Sequence, residues 1–438
     1  MGCGHARIPG GLVLVAGVAG LLGLAGPAQA RPAATAAQLP STTPASGTPA
    51  FPTVTSRVEQ VRQLVQCGGT MYAVGRFSVV DQGGRTFHRG SAFSFRATAP
   101  YTMTSWNPRI NGQVNTIAFN GTNCSRAYLG GAFSSVHGTR ARNIAEVSTS
   151  TGAVITRFGR AASRTVYTLV VNRGHLLAGG LFKIINGSGN GYLASLNPVT
   201  GRDDGFARLA VSGHYGGSGA TKVYNQQVSH NGRLDLLEGT FTRVGGRARQ
   251  QIVMLRLTGP KATVTRWTSA EFNRGCAARE QFYVRAASWA PNDGTIYIAD
   301  TGYRPSKGAN TGLCDAAAAF PARQQQVRHK WVNYTGCDSL YSTAADSTTA
   351  YFGGHERWAS NSRACDNQGP GAVLAPGMVG LSAARGTVTF NPTRGRGRGA
   401  DDMLLTRAGL WVASDNFDQT NTCGGVGGHA GICFLPYP

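Results

Sequence analysis

Acid is scarce in this sequence: 20 Asp and Glu stand against 42 Lys and Arg among 438 residues. A glycan hydrolase or lyase works with two carboxylates as acid and base, so the shortage leaves few candidates for that chemistry. Long apolar runs are also lacking. The one run, Leu12 to Leu24, is too short to span a bilayer as a mature helix. No stretch keeps helix-period apolar spacing, which argues against a helical fold. Cys-x-x-Cys and His-x-x-x-His spacings are absent, which removes the usual structural zinc site. No Gly-x-Ser-x-Gly elbow and no phosphate loop opening a helix appears, so nucleophilic catalysis has no motif behind it. A recognition helix and an aromatic-basic ladder are missing too, which disfavours specific nucleic-acid binding.

What is present begins with an export signal. A weakly basic start at Arg7, the short apolar run and a small-residue ending at Ala30 read as a signal peptide over residues 1–30. Residues 31–51, rich in Ala, Pro, Thr and Ser, read as a disordered linker, and residues 52–438 as one domain. Discarding Cys3 with the signal leaves an even set: Cys67, Cys124, Cys276, Cys314, Cys337, Cys365, Cys423 and Cys433. In an exported chain an even set reads as disulfides. Loop placement favours neighbours as partners: Cys67 with Cys124, Cys276 with Cys314, Cys337 with Cys365, and Cys423 with Cys433.

The 61 glycines punctuate short apolar segments, the pattern of strands and tight turns. One phrase recurs seven times: YAVGRF from Tyr72, YLGGAF from Tyr128, LAGGLF from Leu177, LLEGTF from Leu236, YIADTGY from Tyr297, YFGGHERW from Tyr351 and WVASDNF from Trp411. The spacing is roughly fifty to sixty residues, the size of a stacked supersecondary unit. Each copy is preceded by an apolar segment, such as VNTIAFN. It is followed by another, such as NIAEVS, and then by a closing aromatic: Trp106, Phe158, Phe206, Trp267, Trp331 or Phe390. The expectation is an all-β, seven-bladed β-propeller of four-stranded blades. FPTVTSRV, from Phe51 to Val58, is expected to close the ring as an N-terminal strand, which removes exposed sheet edges.

From Ala118 to Trp267 the order Gly-Gly-x-Phe, Asn-Gly, Ile-Ala strand and Thr-Gly resembles the delta-sixty repeat family of tandem propeller modules. The resemblance implies a secreted or surface propeller scaffold. It implies no catalytic residues, because the repeat pattern contains none.

In such a ring the turns between second and third strands share one face with the connections between blades. That face collects Arg85, Arg89, Arg140, Arg142, Arg247, Arg249, Arg394, Arg396 and Arg398, out of a net charge of +22. Arginine pairs bidentately with phosphate and carboxylate. The expected partners are therefore an anionic cell-wall polymer, an acidic glycan or a protein at the cell surface, met by a secreted monomer with no transmembrane segment. His214, Tyr215 and Trp358 lie in loops of the same face, where they would stack on sugar rings. Tyr167, Tyr224, Tyr283 and Tyr341 fall in the innermost strands, to line a channel or pack between blades.

The alternative is a secreted glycan-active hydrolase or lyase. It would draw on Asp315, Asp366, Asp402 and Asp415, with Glu356, Asp401 and Asp418 nearby in the same loops. No cofactor is implied. DNFDQTN, Asp415 to Asn421, is oxygen-rich enough for Ca²⁺ but lacks a Gly-centred ligand loop, and reads first as a polar turn.

Overall fold

Seven stretches of alternating apolar residues become the first strands of seven sheets: Gln60–Cys67, Gln113–Asn120, Val166–Asn172, Val223–Val228, Tyr283–Trp289, Leu340–Ala345 and Asp402–Thr406. The computed structural model describes residues 38–52, 58–215, 219–273, 275–277, 280–304, 312–417 and 422–438. The signal peptide, the start of the linker, most of FPTVTSRV and Asp418 lie outside the described residues. Each first strand pairs antiparallel with the strand carrying a copy of the repeat phrase: Thr70–Arg76, Asn123–Ala132, His175–Gly180, Leu234–Gly239, Thr295–Thr301, Thr349–Gly354 and Gly409–Ala413. A third strand lies beyond each of these: Ala92–Arg96, Ile144–Ser148, Leu193–Leu196, Ile252–Arg256, Ala316–Pro321, Met378–Ser382 and Ile432–Pro436. The protein is thus all-β and built from small antiparallel sheets, numbered here one to seven in chain order.

Among the described residues, regular fourth strands occur only in sheets four, five and six: Thr263–Val264, Trp331–Tyr334 and Val388–Phe390. In sheets one, two and three the fourth segment touches by single bridges, Phe95 to Met103, Val147 to Val154 and Leu196 to Asp203. The expected four-stranded units are therefore regular only in part. Sheet seven gains its outer segment from the N-terminus. Ser41 N–H donates to Pro436 O (2.7 Å) and Ala45 N–H to Phe434 O (2.8 Å). The pairing is made by residues 41–45, ahead of the segment expected to make it. Pro40, Pro44, Thr48, Pro49 and Phe51 are buried, so this part of the expected linker is packed chain. Proline carries no N–H and tolerates an edge position, which suits this composition.

Consecutive first strands adjoin, and the seventh adjoins the first. Apolar side chains on both faces of each sheet meet those of its neighbours in seven clusters. One of these joins sheet seven to sheet one through Phe77, Phe93, Phe95, Trp411 and Phe434. The closing tryptophans reach across these seams: Trp106 Nε1 donates to Ser148 O (3.1 Å), Trp267 to Pro321 O (2.9 Å) and Trp331 to Ala383 O (3.0 Å). A buried indole needs such an acceptor. Cys67–Cys124, Cys276–Cys314, Cys337–Cys365 and Cys423–Cys433 are joined as disulfides, which fits an oxidising compartment. No helix among the described residues is long and apolar enough to cross a membrane.

Candidate functional site

The site starts from a repeated irregularity. Six first strands carry one extra residue near their start, opposite the end of the second strand: Arg62, Asn115, Tyr167, Tyr224, Arg285 and Tyr341. Glycine stands across the ladder in five of the six, at Gly75, Gly131, Gly180, Gly239 and Gly354. A Cβ on Gly75 would come within 1.9 Å of Gln60 O, and one on Gly131 within 2.1 Å of Gln113 O. The glycine is therefore required by close backbone approach at a bulge, and the bulge turns one side chain out of the ladder.

Those six side chains and Asp401, just before the first strand of sheet seven, line one cavity of about 80 Å³. Arg62 Nη1 lies 2.9 Å from Asp401 Oδ1, and Arg285 Nη2 is 3.2 Å from the same oxygen. The Arg285 guanidinium sits 3.8 Å from the centre of the Tyr341 ring and 5.1 Å from that of Tyr224, which stacks on Tyr167 at 5.0 Å. Cation and ring faces attract in such contacts, which hold the guanidinium in place. Arg62 Nε and Asp401 Oδ2 are buried and have no hydrogen-bond partner among the described residues. A donor and an acceptor are thus left over at the cavity, where leaving them unmet is costly.

Behind this lining, the residue after the bulge caps the next sheet. Asp402 Oδ2 accepts Leu64 N–H (2.9 Å), Gln63 Oε1 accepts Ile117 N–H (2.7 Å) and Thr116 Oγ1 accepts Leu169 N–H (3.2 Å). Asp402, a carboxylate in the glycan-cleavage alternative, therefore holds a backbone amide of sheet one.

A polar chain runs from the cavity to the loops of sheets five to seven. Tyr341 OH bonds His355 Nδ1, and the backbone oxygen of His355 accepts from Arg396 Nε. Arg396 Nη2 pairs with Asp338 (2.8 Å), Asp338 with Arg357 (2.7 Å), Arg357 with Asp366 (2.8 Å), and Tyr303 OH donates to Asp366 (3.0 Å). Burial and then the Arg396 charge push His355 down to about 4. Burial, with Arg285 beside it, pushes Lys222 down to about 8, and its Nζ lies 4.8 Å from the Tyr283 ring centre.

The remaining sequence-selected residues disperse. Arg85, Arg140 and Arg247 lie exposed on short hairpins that the chain inserts between second and third strands, with Arg142 exposed beside them. Arg89 and Arg249 bond Thr104 O and Thr265 O, toward the outer edge. Arg394 is buried against Gly395 O, and Arg398 lies 5.1 Å from the Phe417 ring centre. Trp358 is 8% exposed with Arg357 over its ring at 4.4 Å, so its face is covered. Tyr215 OH bonds Gln250 and Asn273 O, with its ring against Phe282, which takes it out of a sugar-stacking role. His214 is exposed beside Thr221.

Asp315 accepts from Gly302 N–H (2.9 Å) and Ser339 Oγ (2.8 Å), and burial pushes it up to about 6. Asp415 accepts the N–H groups of Phe417, Arg398 and Gly399. Among the described residues no three His, Cys, Asp or Glu side chains cluster closely enough to hold a metal. Arg62, Asn115, Arg285 and Asp401 as cavity residues escape sequence reasoning. Their signal, a glycine facing the residue before the bulge in five first strands, is legible only once register is known. No family model matches the chain, and no curated protein matches it.

Proposed function

We propose that the chain is an exported seven-bladed propeller, in the manner of delta-sixty repeat modules, and that it binds an anionic glycan or cell-wall polymer without cleaving it. Ring order of the first strands, a core in every seam and the outer segment lent by residues 41–45 support the propeller reading. The observation that carries the function is the axial cavity: seven sheets each send one polar or aromatic side chain there, including two arginines that share one aspartate. A cavity of about 80 Å³ admits one small charged group of a polymer rather than a whole sugar ring: the guanidiniums suit its carboxylate, and the spare Arg62 Nε and Asp401 Oδ2 suit an acceptor and a donor beside it. Exposed arginines on the loop face draw the polymer in.

A hydrolase or lyase reading is favoured by three carboxyls that burial raises, Asp315, Glu356 and Asp415. All three are buried away from any substrate, at 2% exposure or less, and Asp366, Asp402 and Asp415 are each engaged with an arginine or with backbone N–H groups. Binding is the better-supported role. Calorimetry with a uronate-terminated tetrasaccharide and its carboxyl-reduced counterpart tests it. The acidic form should bind about tenfold or more tightly, and Arg62→Gln should remove that preference. Equal binding of both forms, or an unchanged preference in Arg62→Gln and Tyr167→Phe, would overturn it. Release of new reducing ends would move the reading to the enzyme.

A further inference from the structure

A second basic feature lies on the outer edge, away from the axis. Along the fourth strand of sheet four runs a groove of about 620 Å³, lined by Arg233, Arg247, Arg256, Arg266 and Arg323 over a floor that includes Trp267. All five arginines are exposed, and no carboxylate lines the groove. Arg323 Nη2 bonds Asn292 O, while Arg233, Arg247, Arg256 and Arg266 form no ion pair among the described residues. These residues come from different places: the turn between first and second strands, the inserted hairpin, the third strand, the residue before the closing tryptophan, and the turn after the third strand of sheet five. The groove therefore runs along the side wall, from the inserted hairpin toward the turn between first and second strands.

The fold does not demand these charges. The position of Arg266, just before the closing aromatic, is Ser105 in sheet one, Gly205 in sheet three and Thr389 in sheet six, while sheets two and five carry Arg157 and Lys330 there, so a basic residue is tolerated at it but not required. Like charges gathered round one groove repel, an effect that salt weakens and a bound anion removes.

We propose that this groove is the track for a linear polyanion with closely spaced oxyanions, of the phosphate-chain kind. Five guanidiniums around one groove need several negative groups at short intervals. A uronate polymer with one charge per disaccharide leaves most of them unmet, whereas a phosphate chain meets each with a bidentate partner. A second copy of this basic chain is repelled. The proposal deepens the polyanion-binding reading by naming the surface that carries the polymer's body, separate from the axial cavity that takes a single acidic residue.

The test is fluorescence anisotropy with labelled long-chain polyphosphate over a salt series, on the full chain. Arg233→Ser/Arg256→Ser/Arg266→Ser should weaken binding about tenfold or more and flatten the slope of log K against log salt by about two. A control that removes equal charge from exposed positions outside both sites, Arg173→Ser/Arg202→Ser/Arg385→Ser, should keep most of the affinity, and Arg62→Gln, in the separate cavity, should leave polyphosphate binding unchanged. Wild-type binding by the groove variant, or equal losses in the groove and control variants, overturns the groove. Hyaluronan binding as tightly as polyphosphate overturns the charge-spacing argument. Loss of uronate binding in Arg62→Gln with polyphosphate retained separates the two sites, and failure of uronate binding alone leaves the groove standing.

Discussion

Glu356 is fully buried, and its carboxyl oxygens have no hydrogen-bond partner of ordinary geometry among the described residues. Burial pushes the group up to about 8, against an ordinary value near 4.5. Between those values the folded protein holds a proton that the unfolded chain releases, so the contribution to stability falls as pH rises through that window. Asp315, raised to about 6, acts in the same direction over a narrower range. His355 acts the other way: its folded value near 4 lies below the ordinary 6.5, and its contribution is lost as pH falls from 6.5 toward 4. Glu356→Gln keeps the shape and removes the ionisation. Differential scanning calorimetry should show it about 2 °C or more above wild type at the alkaline end of the window, with the gain vanishing as pH approaches 4.5. A gain independent of pH would mean that the side chain matters through packing instead.

At the scale of the strand pair, the bulge sets the requirement. Gly75 faces the backbone of Gln60 and Val61 across the bulge at Arg62, whereas Gly69, in the turn of the same hairpin, has open space around its Cβ position. Gly75→Ala should cost about 1–3 kcal/mol in guanidinium unfolding, since the strands must part to admit a methyl group. Gly69→Ala should be close to neutral. The same pair of positions explains what the sequence does and does not disclose. The repeat phrase lies on the second strand of every sheet because its apolar residues are buried on both faces, and an uninterrupted apolar run is visible in one dimension. A bulge adds one residue and shifts alternation by one, so Arg62, Asn115 and Arg285 read as ordinary strand positions of unrelated chemistry. Tyr167, Tyr224 and Tyr341 are legible only because three aromatics happen to recur. Arg396 and Trp358 show the opposite failure: their loops are assigned from topology, but that placement does not disclose that Arg396 pairs with the distant Asp338 or that the neighbouring Arg357 folds over the Trp358 ring.

For the whole molecule the decisive contact is the seam where the two ends of the chain meet. Among the described residues sheet seven has no fourth strand of its own, and residues 41–45 bond the backbone of its outer strand, followed by Phe51 N–H to Ala430 O (2.8 Å). Phe51 also packs 5.3 Å from the Phe77 ring centre within the cluster that binds sheet seven to sheet one. Removing this segment would bare a strand edge beside Trp411 and Phe434, which stack at 4.1 Å, and an apolar edge of that kind recruits other chains. At the far end of the neighbouring seam, Cys67–Cys124 ties sheet one to sheet two across 57 residues of sequence. Closing a loop of that length contributes about 4 kcal/mol in the chain-entropy account. The two constraints hold sheet one from either side, so they should act together. A chain beginning at residue 52 should melt well below one beginning at residue 38 and elute partly as oligomers in size-exclusion chromatography. Cys67→Ser/Cys124→Ser should lower stability by about 2–4 kcal/mol without changing the elution volume, because no strand edge is exposed. If the shortened chain elutes like the longer one with an unchanged melting temperature, residues 41–45 do not protect the edge of sheet seven, and the apolar cluster alone holds that sheet to sheet one.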